Sequence, residues 1–103
     1  MVYAQRTAIS LLGKRKEAFN WAKEVAKYIN EKFNQNVEVY TQAMGDRPLG
    51  TIYWIGKHEN LTKLEEFNQK LAADQGYKDL LAKSVDLFVS DSIYDSIIYG
   101  PHK

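Results

Sequence analysis

Trp54 and His58 fall in one short run, Gly50-Thr51-Ile52-Tyr53-Trp54-Ile55-Gly56-Lys57-His58-Glu59-Asn60. An imidazole with a pKa near ~6.5 can take up or release a proton around neutral pH. An indole close by offers a flat apolar wall carrying a single N–H donor. If the run is a strand, Trp54, Gly56 and His58 share a face, and Gly56 leaves room beside the indole for a helix or a ligand. The chemistry open to such a set is proton transfer on a small aromatic or otherwise apolar molecule, with His58 as the catalytic group and Trp54 as a pocket wall. The plainer alternative makes Trp54 core and His58 a solvated strand end, because no second titratable group has an evident place beside His58.

Other side chains invite the same pair of readings. Arg6 is the only charge in the first apolar segment. A charge within a sheet has a partner or faces solvent, so Arg6 holds an anionic substrate or forms an edge or interface salt bridge. Tyr40 and Gln42, with Tyr3 and Tyr53, can offer hydrogen bonds to a substrate or pack at an interface. Lys14-Arg15-Lys16 stands where a helix begins and opposes its dipole, either as an anion site or as solvated surface. Asp46-Arg47 reads as a loop pair.

Metal ligation needs converging side chains, and the two histidines are far apart in a chain without cysteine. The phosphate-binding glycine motif, the nucleophile elbow and the dinucleotide fingerprint are missing. The residues therefore call for no cofactor.

The chain has 103 residues, which is one domain, residues 1–103, with room for a single modest core. Its net charge of +1 supplies no field that would gather nucleic acid or an anionic membrane. No apolar run approaches the ~20 residues of a membrane span. The first residues alternate polar and apolar, unlike a signal peptide, so the cytoplasm is the expected compartment. There the Asn60-Leu61-Thr62 sequon has no chemical role, and a helix cap explains it.

The elements that must position these groups follow from periodicity. Val2 to Leu12 reads as a strand ended by Gly13. Lys14 to Phe33 is an amphipathic helix with Ala18, Ala22, Val25, Ala26, Ile29 and Phe33 on one face and Trp21 and Tyr28 flanking it. Val37 to Met44 alternates as a strand, 45–50 carries turn residues, and Thr51 to His58 is the strand of the opening run. A register pairing Met44 near Thr51 places Glu38 opposite Lys57. It also groups Val37, Val39, Thr41 and Ala43 with Trp54 on the helix side, leaving Glu38, Tyr40, Gln42, Tyr53, Ile55 and Lys57 on the other. A one-residue slip would exchange the two faces.

Asn60 or Thr62 caps a second helix, with Leu64, Phe67, Leu71 and Ala72 inward. Gly76 is expected to interrupt it, and a shorter helix, Tyr77 to Lys83, turns Leu80 and Leu81 inward. An apolar link at Leu87-Phe88-Val89 and a turn at Ser90-Asp91-Ser92 lead to a last strand, Ile93 to Tyr99.

This β-α-β-β-α-β order is that of a ferredoxin-like α+β sandwich, a four-stranded antiparallel sheet with helices on one face and the second helix broken. Two helices cover one face only, yet the third and fourth strands are apolar or aromatic on both. A second copy of the chain, sheet against sheet, is the economical cover.

The element order and the ending LAADQGYKDLLAKSVDLFVSDSIYDSIIYG resemble the dimeric α/β-barrel superfamily, including NIPSNAP-like and antibiotic-biosynthesis-monooxygenase-like proteins. The resemblance is one of layout along the whole chain. It implies a homodimer with paired sheets, a small-molecule pocket between sheet and helices, and oxygenation or isomerisation without a cofactor as one type of chemistry. Haem-degrading relatives use an asparagine on the first strand, a core tryptophan and a helix histidine. Only Trp54 has a counterpart here, so haem is not implied.

Two functions follow. One is a cofactor-independent monooxygenase- or isomerase-like enzyme for a small apolar or aromatic molecule, using His58 with Trp54, Arg6, Tyr40 and Gln42. The alternative is a non-catalytic homodimeric module that binds a small molecule or a protein. An open cavity touching Trp54 and His58 would favour the first. Filling of that space by Phe67, Leu71 and Val25 would argue against it.

Overall fold

Ala18, Ala22, Val25, Ala26 and Ile29 are all buried, so the first helix lies on the sheet along the expected stripe. The structure, a computed structural model, describes residues 1–103. Its elements are β1 (Val2–Ile9), α1 (Arg15–Phe33), β2 (Glu38–Thr41), β3 (Thr51–His58), α2 (Leu61–Ala72), α3 (Gln75–Ala82) and β4 (Tyr94–Tyr99). The strands form one antiparallel sheet in the order β2-β3-β1-β4. With the helices on one face, this is the ferredoxin-like α+β architecture expected from the element order.

The helices do not share the sheet evenly. α1 packs on β2 and β3, and α2 packs on β3. The core sits beneath them, where Ile52 keeps 1% of its surface exposed against Ala18 and Ala22. Burying an isoleucine this fully contributes about 1.5–3 kcal/mol. β4, at the far edge, has every residue exposed.

Several expectations need correcting, the first being the hairpin. β2 is short, and its register with β3 pairs Glu38 with Ile55 and Val39 with Trp54, two residues from the expected match. Lys57 therefore faces Tyr3 of β1 and forms no pair with Glu38. The shift follows from a wide hairpin loop. Gln42 N–H donates to the Thr51 carbonyl, the Thr51 hydroxyl donates to the Pro48 carbonyl, and the Gln42 amide donates to the Met44 carbonyl. A slip of two preserves side-chain parity, so the expected division of faces stands.

Second, β1 stops at Ile9. The chain beyond it leaves β4 for the link, with Val89 N–H donating to the Ile9 carbonyl and Leu11 N–H to the Leu87 carbonyl. Third, the break in the second helix lies at Ala73–Asp74, not at Gly76. Asp74 caps α3 by accepting from the Tyr77 N–H at 2.9 Å. Gly76 sits inside α3 because a Cβ there would meet the Tyr28 hydroxyl at 2.1 Å. Leu80 is buried as expected, but Leu81 is exposed.

Fourth, Trp21 is core. Its indole donates to the Leu80 carbonyl at 2.8 Å and meets Phe88 edge-on at 5.5 Å. α3 docks along the flank of α1 and widens the buried arc beyond the stripe. Asp74 accepts from the Tyr28 hydroxyl at 2.5 Å and pairs with Lys32 at 2.6 Å, which ties the helix break to α1. These bonds pull the Asp74 carboxyl down to about 2. At α2, Asn60 is the cap, accepting from Lys63 N–H at 2.9 Å. Ala72 is exposed while Leu64 is buried.

Candidate functional site at the end of the sheet

The pairing of β1 with β3 sets Arg6 beside Trp54, Ala4 beside Gly56 and Val2 beside His58. Opposed residues share a face. That face is the helix side, since the Trp54 indole donates to the Ala22 carbonyl of α1 at 3.2 Å. Tyr40 lies opposite Tyr53 on the other face, where the Tyr53 hydroxyl donates to Gln42. Trp54, Arg6 and His58 are thus brought to one face, and Tyr40 and Gln42 to its reverse. The five sequence-selected residues do not converge on one site.

Trp54 is enclosed by protein. Trp21 meets it edge-on at 6.0 Å and Phe88 lies 6.1 Å away. Val25, Phe67 and Leu71 belong to the same apolar cluster. Arg6 is engaged within its own chain, donating from Nε and Nη2 to the two Asp95 oxygens at 2.7 and 2.9 Å. That bidentate contact holds the Asp95 carboxyl below the usual carboxylate range. Tyr40 is exposed, and the neighbouring Glu38 charge raises its hydroxyl pKa.

His58 sits differently. It is 8% exposed, and its ring lies 5.4 Å from Phe67 with a 33° tilt. Its Nε2 reaches back to 3.5 Å from where a Gly56 Cβ would stand, an ordinary contact distance. Burial lowers its pKa, which favours the neutral imidazole. The ring borders an open groove of about 630 Å³. The end of α1 (Lys32 to Gln35), the end of β3 (Lys57 to Glu59) and one face of α2 (Lys63, Glu66, Phe67, Lys70) form its walls. Trp54 is not part of that lining.

The groove exists because β2 begins at Glu38, opposite Ile55, so the last residues of β3 pair with β1 on one side and have no strand on the other. Asn30 turns the chain there, accepting from Val37 N–H at 2.7 Å and donating to the Val37 carbonyl at 3.0 Å. Asn34, in the left-handed region at φ 52°, ends α1. A neutral imidazole beside an aromatic wall can pack against an apolar ring and accept a proton from an acidic group that the ring carries. No three ligand-type side chains gather to hold a metal.

Sequence reasoning overlooked the groove wall on α2. Its signal was present in Lys63, Glu66, Phe67 and Lys70, spaced by three and four residues and following His58 closely. In the basic run at α1, Lys14 pairs with Glu17 at 3.3 Å and Arg15 donates to the Leu49 carbonyl at 3.2 Å. Arg47, expected beside Asp46, instead lies over the Tyr94 ring at 5.6 Å.

A β2-β3-β1-β4 antiparallel sheet with helices on one face defines a ferredoxin-like protein. Among solved structures, an uncharacterized NIPSNAP domain protein from Burkholderia xenovorans is similar, with a TM-score of 0.81 at 16% identity, over 98% of this chain and 95% of its own. A NIPSNAP family protein from Agrobacterium tumefaciens gives 0.79 at 20% identity, over 97% and 92% of the two chains. A candidate antibiotic biosynthesis monooxygenase from Deinococcus radiodurans gives 0.74 at 10% identity, over 100% and 95%. These are the groups that the sequence layout resembles, and at such identities the likeness is one of fold. No protein-family model and no curated protein matches the chain.

Proposed function

We propose that the chain acts in the cytoplasm as a homodimer that binds a small apolar or aromatic molecule in the groove beside His58. The carrying observation is the groove itself, about 630 Å³, in which Phe33, Phe67 and His58 stand among charged and polar side chains. Its size is that of small-molecule sites, roughly 300–1,000 Å³. Dimerisation through the sheet is supported by β4, exposed on both faces although apolar on both.

A second reading makes the same groove catalytic. It is favoured by the buried His58 imidazole, whose lowered pKa keeps it available as a base. In that reading His58 takes a proton from the bound molecule, as in cofactor-independent oxygenation or isomerisation. Trp54 supports the groove from the core, and Arg6 braces β4 through Asp95.

Titration of the intact protein with two-ring aromatic probes, one neutral and one anionic, tests the binding reading. Amide chemical shifts of Phe33, His58 and Phe67 should move together with at least one probe. Shifts confined to other surfaces, or none at millimolar probe, would sink it.

A further inference from the structure

Beyond a site for some small molecule, the groove carries a specific pattern of charge and aromatic surface. Phe33 and Phe67 meet edge-on at 5.8 Å, and the His58 ring lies 5.4 Å from Phe67. A flat ring can lie on such a wall. Four lysines border the groove, but Lys32 is committed to Asp74 at 2.6 Å and Lys63 faces Glu66 at 3.8 Å. Lys57 and Glu59 form no ion pair, and by strand alternation these two fall on the reverse face, so Lys70 on α2 is the groove cation without a partner. One positive charge is therefore left over, which matches a single negative charge on the occupant.

The main chain adds a donor. Gln42 N–H bonds the Thr51 carbonyl, and Ser10 N–H bonds the Gly50 carbonyl. In antiparallel ladders bonding sides alternate, so the peptide groups of Thr51, Tyr53, Ile55 and Lys57 point towards the β2 side. β2 reaches only Ile55, which leaves the Lys57 N–H at an open edge bordering the groove.

We propose that the groove takes a planar aromatic monocarboxylate, its ring on Phe33, Phe67 and His58 and its carboxylate between the Lys57 N–H and the Lys70 ammonium. The inference rests on the small-molecule reading above and adds the ligand's charge. The test titrates the intact protein with 2-naphthoate, its neutral isostere 2-naphthamide, and 2-naphthyl phosphate, following amide shifts. Naphthoate should bind roughly fivefold more tightly than the amide, the scale of one exposed charge pair. Its shifts should include Lys57, His58 and Phe67, and added salt should erode the preference.

Lys70→Gln, at an exposed helix position, should reduce that preference roughly threefold and leave amide binding unchanged. Equal binding of naphthoate and naphthamide in the groove overturns the charge assignment and leaves the small-molecule reading standing. Tighter binding of the phosphate than of naphthoate overturns the monoanion assignment. If no probe binds, both readings fall.

Discussion

His58 is a buried imidazole packed between Phe67 and the bare backbone of Gly56, and burial holds its pKa below that of a free imidazole, ~6.5. The sign of its effect on stability follows from linkage. Below 6.5 the unfolded chain binds a proton that the folded chain refuses, so stability is full above 6.5 and falls as pH drops towards the folded value. The urea midpoint of the wild type should therefore decline between pH 7 and 5.5. His58→Gln should decline less over the same interval, because the buried imidazole is then gone. Parallel curves for the two proteins would mean that His58 is not held neutral.

At the scale of elements, the joint between α2 and α3 holds the most specific chemistry. Asp74 caps α3 while binding Tyr28 and Lys32 of α1, and Gly76 lets the Tyr28 ring come within reach. Alanine is normally favoured over glycine in a helix by about 1 kcal/mol. Here a methyl group would stand 2.1 Å from the Tyr28 hydroxyl, so the preference should reverse. Gly76→Ala should destabilise the protein by about 1–3 kcal/mol, the scale of an overpacked site. In a Tyr28→Ser background the same substitution should become neutral or stabilising. Urea denaturation of the four proteins measures the difference, and an unchanged cost in both backgrounds would locate the strain elsewhere.

For the whole molecule, the uneven cover of the sheet is the dominant feature. Exposure along the apolar residues of β4 runs from 49% at Ile97 to 60% at Tyr99, with Tyr94 and Ile98 open on the opposite face. In the proposed homodimer this edge and the outer face are covered by the second copy. Ile98→Glu should then place a charge in the interface and give a monomer by sedimentation equilibrium, with unchanged far-ultraviolet circular dichroism. A wild-type protein that is monomeric at micromolar concentration would end the dimer proposal.

The elements themselves were legible, because local periodicity is set by neighbours a few residues away. α1 differs from its expected start by one residue, and β3 has the expected bounds. Side-chain parity in the β2–β3 hairpin was legible too, since a two-residue register shift leaves every face unchanged. What lay beyond the sequence depends on contacts distant along the chain. Trp21 became core only when α3 docked on α1, and Gly76 became indispensable only because Tyr28 arrived against it. Trp54 and His58, alike in sequence context, were separated in the same way: Trp21 and Phe88 close over one, while the late start of β2 leaves the other beside a groove. Sequence by itself determined which residues share a strand face or a helix stripe. Only tertiary structure decided which shared face is filled and which stays open, because filling is a matter of volume brought from elsewhere in the chain.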